Sequence, residues 1–125
     1  METAHILGLA TDLFFVPKID AAAAALGYGS QWLTEYRTAA EFSQLLRTHT
    51  PILIILDVNC FLPWIEWLPA SKEDAATSLI PWLVFGSHMN PRRLAAARKA
   101  GADLVVPKSQ FSSELMDLMK KVLLT

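Results

Sequence analysis

The sequence predicts an α/β fold, a parallel sheet with helices on both sides, and three observations carry that expectation. Several short apolar runs lack any polar–apolar alternation, as strands covered on both faces do. The stretches between them carry helix start and stop signals, and strands alternating with helices at this spacing make parallel sheets. Hydrophobic residues make up 53% and charged residues 18% of 125 residues. That composition belongs to a globular chain, and its length reads as one domain over 1–125 that buries its own core.

In chain order, His5–Leu9 is a first buried strand, with a polar exit at Ala10, Thr11 and Asp12. Pro17 suits the first turn of a helix, where its missing N–H has no partner to lose. The alanine block 21–25 continues that helix at little cost, and Gly27 closes it as a residue able to take positive φ. Gln31 to Tyr36 alternates imperfectly and reads as an edge-like second strand. Thr38-Ala-Ala-Glu41 fits a capping box, and Phe42, Leu45 and Leu46 give a second helix its apolar stripe. Pro51 bounds that helix, and the run Ile52–Leu56 follows as the central strand.

Between Val58 and Ile80 the punctuation is mixed. Pro63 starts a third helix carrying Trp64, Ile65, Trp67 and Leu68, which Pro69 stops or kinks. Ala70 to Ser78 reads as a further helical turn or a surface loop. Pro81–Phe85 is a fourth buried strand. Asn90, Pro91 and Gly101 bound the next helix as N-cap, first-turn and C-terminal residues. Leu104–Val106 is a short fifth strand. Leu115, Leu118, Met119, Val122 and Leu123 face one side of a closing helix, with Ser112 or Ser113 as its cap.

The central strand ends on a carboxylate, Asp57. In open parallel sheets the carboxyl ends of the strands are where ligands and chemistry collect. The net charge of −1 argues against a nucleic-acid binder. One cysteine, Cys60, forms no internal disulfide and suits a reducing compartment. No signal peptide or membrane span is evident, so a cytoplasmic location is expected. His5, His49 and His88 show no metal-ligand spacing, and no Gly-rich phosphate loop is present.

Three stretches together resemble the receiver domains of two-component response regulators. The most specific is Ala100-Gly-Ala-Asp-Leu-Val-Val-Pro-Lys108, which matches the run before the fifth strand and places Lys108 at the position of the receiver lysine. Asp57 matches the phospho-accepting aspartate, and Ile80-Pro81 precedes the fourth strand as in receivers. The resemblance covers nearly the whole chain. It implies a flavodoxin-like three-layer sandwich with strand order 2-1-3-4-5 and five helices, and a place in two-component or phosphorelay signalling.

The departures concern the chemistry. Receivers hold magnesium with an acidic pair after the first strand. Ala10 and Thr11 stand there, with Asp12 one step later. Magnesium demands near-octahedral oxygen ligation, and Asp57 with the carbonyl of Asn59 supplies only part of it, so Asp12 would have to complete the site. The phosphoryl-binding hydroxyl at the end of the fourth strand is replaced by Gly86, with Ser87 following. The switch aromatic is replaced by Val105, a β-branched residue without a comparable swing. Ser109 stands where receivers have a proline after the lysine.

This pattern resembles a pseudo-receiver: a signalling module without cofactor or catalysis, acting on a protein partner or as a homodimer. The alternative is an atypical active receiver using Asp57 with Mg2+ held by Asp12. Asp57 and Lys108 are expected to form a structural ion pair across the strand ends. Two further features bear on partners. Trp64 and Trp67 either pack beneath the third helix or mark an interface. Arg92, Arg93, Arg98 and Lys99 make the fourth helix basic, and it belongs to the surface receivers use for partners.

Overall fold

The computed structural model describes residues 4–10 and 13–124. Five parallel strands form one sheet: β1 (His5–Leu9), β2 (Gly29–Leu33), β3 (Leu53–Asp57), β4 (Trp82–Gly86) and β5 (Leu104–Pro107). Their order is β2-β1-β3-β4-β5, with β3 paired to β1 on one side and β4 on the other. The connecting helices are α1 (Val16–Ala25), α2 (Ala39–His49), α3 (Trp64–Glu73), α4 (Pro91–Ala100) and α5 (Lys108–Leu123), with a 3-10 turn at Leu13–Phe15 before α1. The expected layered fold and strand order are thus present.

Alternate residues of the buried strands feed two separate cores. Ile54, Leu56 and Val84 pack with Phe42, Trp67, Leu68 and Leu94, beneath α2, α3 and α4. Leu53, Ile55, Leu83 and Phe85 pack with Ile19, Ala23, Phe111 and Met119, beneath α1 and α5. Every residue of β3 and β4 is buried, which is why these runs show no polar alternation.

Local chemistry sets the helix ends. The Thr38 hydroxyl accepts from the Glu41 N–H at 3.1 Å, while Glu41 accepts from the Thr38 N–H at 3.0 Å, the reciprocal box expected. The Thr38 N–H, and after it the Thr38 hydroxyl, favour ionised Glu41 and hold its carboxyl below the ordinary value. Thr50 takes a left-handed φ of 43° at the end of α2. The proline that follows disfavours the helical region for this residue.

Three boundaries differ from the sequence expectation. Strand β2 starts earlier and ends at Leu33, leaving Tyr36 exposed. It is placed by tertiary bonds: Ser30 Oγ and Trp32 Nε1 both donate to Asp20 Oδ1 of α1, at 2.6 and 2.8 Å. The Trp32 ring also fills the space beside Gly8, where any Cβ would overlap it. Helix α3 does not stop at Pro69 but runs through it to Glu73. Asn90 is the N-cap of α4 as expected, though without a side-chain cap bond, and in the loop before it the Ser87 hydroxyl accepts from the Met89 N–H. Helix α5 begins at Lys108, directly after β5, and a non-helical Glu114 interrupts it. Ser112 is therefore no cap; its hydroxyl and carbonyl take the Lys18 ammonium.

Candidate functional site

The C-terminal ends of β3, β4 and β5 bring Asp57, Gly86 and Lys108 to one edge of the sheet, with Ala10 after β1. Asp57 is only 5% exposed, held by a tight turn. One of its carboxylate oxygens accepts the Asn59 N–H at 2.9 Å, and its carbonyl accepts the Cys60 N–H at 3.1 Å. The carboxylate is thus committed in part to shaping the loop that follows it.

Among the described residues, the side chains around it are mostly apolar. Ala10 is buried and carries no ligand oxygen. Val58 is fully buried and fills the place beside Gly86: a Cβ there would overlap Val58 Cγ2 and lie 3.2 Å from Leu94 Cδ2. The end of β4 therefore has no room for the hydroxyl side chain that the resemblance calls for. Ser87, the next residue, spends its oxygen on the Met89 N–H. Val105 is half-buried and pairs with Val84 within the sheet, packed against the α2–α4 core.

Asp12, the expected completing ligand, lies outside the described residues, as does Thr11. Among the described residues no group of three or more His, Cys, Asp or Glu is placed to hold a metal. A hard cation such as magnesium needs about six oxygens in near-octahedral array. Among the described residues around it, Ala10, Val58 and Cys60 add no carboxylate to that of Asp57.

The expected ion pair between Asp57 and Lys108 is not formed. The ion pairs among the described residues are Arg47–Asp74 and Lys72–Asp103. Lys108 sits in the first turn of α5, and its ammonium lies over the Phe15 ring, 5.5 Å from the centroid, in a cation–π contact. Phe15 in turn packs on Phe85 and Phe111, which stack at 3.9 Å. An aromatic cluster has taken the lysine.

The two tryptophans prove to be core rather than surface. Trp67 is fully buried, stacks on Phe42 with centroids 4.4 Å apart, and donates to the Arg37 carbonyl. Trp64 is buried and donates through Nε1 to the Val58 carbonyl at 3.1 Å. Arg93 NH1 reaches the same carbonyl from α4, also at 3.1 Å. The exposed large apolar groups of this stretch are instead Phe61 and Ile65, 92% and 50% exposed, where the sequence reading names the tryptophans. Arg92, Arg93, Arg98 and Lys99 are all on the exposed side of α4, as expected.

Cys60 is buried under this loop. Burial pushes its thiol up to about 11, the nearby charge of Asp57 adds to the rise, and Arg93 opposes it. At neutral pH it stays a thiol, the unreactive form.

No protein-family model matches the sequence, and no curated protein matches it. Solved structures do. A protein of Chloroflexus aurantiacus J-10-fl assigned as a response regulator superposes with a TM-score of 0.81 at 18% identity, over 99% of this chain and 100% of that one. The chemotaxis response regulator CheY4 of Vibrio cholerae gives 0.76 at 16% identity, over 97% and 99%. The orphan response regulator HP1043 of H. pylori gives 0.71 at 14% identity, over 96% of each chain. The fold is that of response regulator receiver domains. Among the described residues no helix is long and apolar enough to cross a membrane.

Proposed function

We propose that this chain is a receiver-like signalling module that acts through contacts with another protein, without an aspartyl-phosphate switch and without catalysis of its own. The observation that carries the reading is the packing of Val58 against Gly86. In phosphoryl transfer the protein contributes positioned polar groups and metal that offset accumulating charge. Here the corresponding space beside Asp57 holds a valine methyl, and the position after β1 holds a buried alanine. Desolvated apolar walls penalise a doubly charged group that lacks paired donors. Lys108, engaged with the Phe15 ring, is a further donor turned to other use.

The receiver fold itself supports the signalling half of the proposal, since the solved structures that share it are response regulators. A titration of magnesium followed by tryptophan fluorescence tests it. Trp64 donates to the Val58 carbonyl, one residue from Asp57, and so reports on any change at that loop. A flat titration into the millimolar range is expected. A saturable change, abolished by Asp57→Asn, would instead favour the active receiver with Asp12 completing the metal site.

A further inference from the structure

A second feature lies on the outer side of the same loop. A cavity of about 370 Å3 opens between the β3–α3 connection and α4, lined by Cys60, Phe61, Leu62, Trp64, Ile65 and Arg93. Its floor is fixed core, since Trp64 and Leu62 are buried, while Phe61 and Ile65 stand out at its rim. Large apolar side chains exposed together beside a preformed hollow mark a contact surface more often than they mark chance.

The one charged residue lining the cavity is Arg93, on a basic helix. Helix α4 holds Arg92, Arg93, Arg98 and Lys99 and no acidic residue, and none of the four is in an ion pair among the described residues. Arg93 is the best placed. One of its N–H groups is tied to the Val58 carbonyl, which orients the guanidinium at the mouth of the cavity. A guanidinium has five donors, so a carboxylate can still be met, and an arginine already held in place loses less freedom on binding. An apolar hollow with an oriented cation at its edge is complementary to an apolar side chain beside a carboxylate.

We infer that this surface docks an acidic segment of a partner protein, with one aromatic or aliphatic anchor entering between Phe61 and Ile65 and a neighbouring Asp or Glu meeting Arg93. The inference rests on the contact-module reading above and names the partner's chemistry. Binding energy at such sites concentrates in a buried apolar anchor and in arginine contacts, with the remaining positive charge steering approach.

Selection of short random peptides displayed on phage against the whole chain tests it. Enriched peptides should pair Asp or Glu with Trp, Phe or Leu. Their affinity should fall by roughly tenfold or more with Phe61→Ser and with Arg93→Gln, as for hot-spot residues, and little with Lys99→Gln at the far end of α4. Circular dichroism confirms that each variant is folded. Failure to enrich, enrichment of neutral or basic peptides, or affinities unmoved by Phe61→Ser would overturn it. So would binding to phosphatidylglycerol-rich vesicles, or a concentration-dependent dimer, that Phe61→Ser abolishes, since those assign the surface to lipid or to a second copy. A positive magnesium titration with acidic peptides enriched would remove the phosphate-free reading and leave the docking surface. A flat one without enrichment would do the reverse.

Discussion

The connection between β3 and α3 treats its apolar side chains in two opposite ways. On the inner side Val58, Cys60 and Leu62 are buried, and Val58 fills the space next to Gly86. On the outer side, a residue or two away, Phe61 and Ile65 stand in solvent. Burial of the first set stabilises the fold through lost apolar exposure and close packing. Exposure of the second set gains the folded chain nothing by that route. The difference separates residues that hold the domain together from residues available to something outside it.

The largest effect expected from this contrast is in stability. Trp67→Ala removes a fully buried ring stacked on Phe42 and should lower unfolding free energy by about 3–5 kcal/mol in urea denaturation. Phe61→Ala should stay within about 0.5 kcal/mol of the parent chain, as surface changes do. Equal losses for the two would erase the distinction between inner and outer side.

The next effect sharpens the account of the inner side. Gly86→Thr places a Cβ on Val58 and should destabilise by about 1–3 kcal/mol, the usual range for overpacking a core. Adding Val58→Ala opens that space, so the double variant should be more stable than the two separate losses predict, by roughly 0.5–3 kcal/mol. Strict additivity in a thermal or urea double-mutant cycle would mean that Val58 does not occupy the place beside Gly86.

The smallest effect is in the titration of Cys60. Its folded value, raised from 9.0 to about 11, lies above the unfolded one. Burial therefore favours the neutral thiol, a contribution present below pH 9.0 and lost as pH rises through about 11. Stability measured across that window should decline, and alkylation at neutral pH should be far slower in the native chain than in urea. Asp57→Asn removes one cause of the rise and should move the native thiol's titration downward.

Much of the fold was readable in the sequence because its signals are local. The uninterrupted runs of β3 and β4, the Thr38–Glu41 box and the Gly27 and Gly101 ends each act within a few residues. What was misread depends on distant groups. Strand β2 is placed by Asp20 of α1, which no local pattern in Gln31–Tyr36 reveals. Trp64 and Trp67 read equally well as surface or core until the Val58 and Arg37 carbonyls that take their N–H groups are known.

The site divides the same way. Asp57 at a strand end and the changes at Ala10, Gly86 and Val105 are visible in the residues themselves. That Val58 closes the space at Gly86 is a matter of packing across two strands. Nor does any local pattern show that the Lys108 ammonium lies over the Phe15 ring, or that α5 begins at the lysine itself, a boundary the serines at 112 and 113 had disguised.

The central claim, that Asp57 is no longer a phosphate acceptor, is tested most directly by incubating the chain with acetyl phosphate and magnesium and measuring its intact mass. An unchanged mass is the predicted result. A stoichiometric gain of one phosphoryl group, labile in acid and absent from Asp57→Asn, would contradict it.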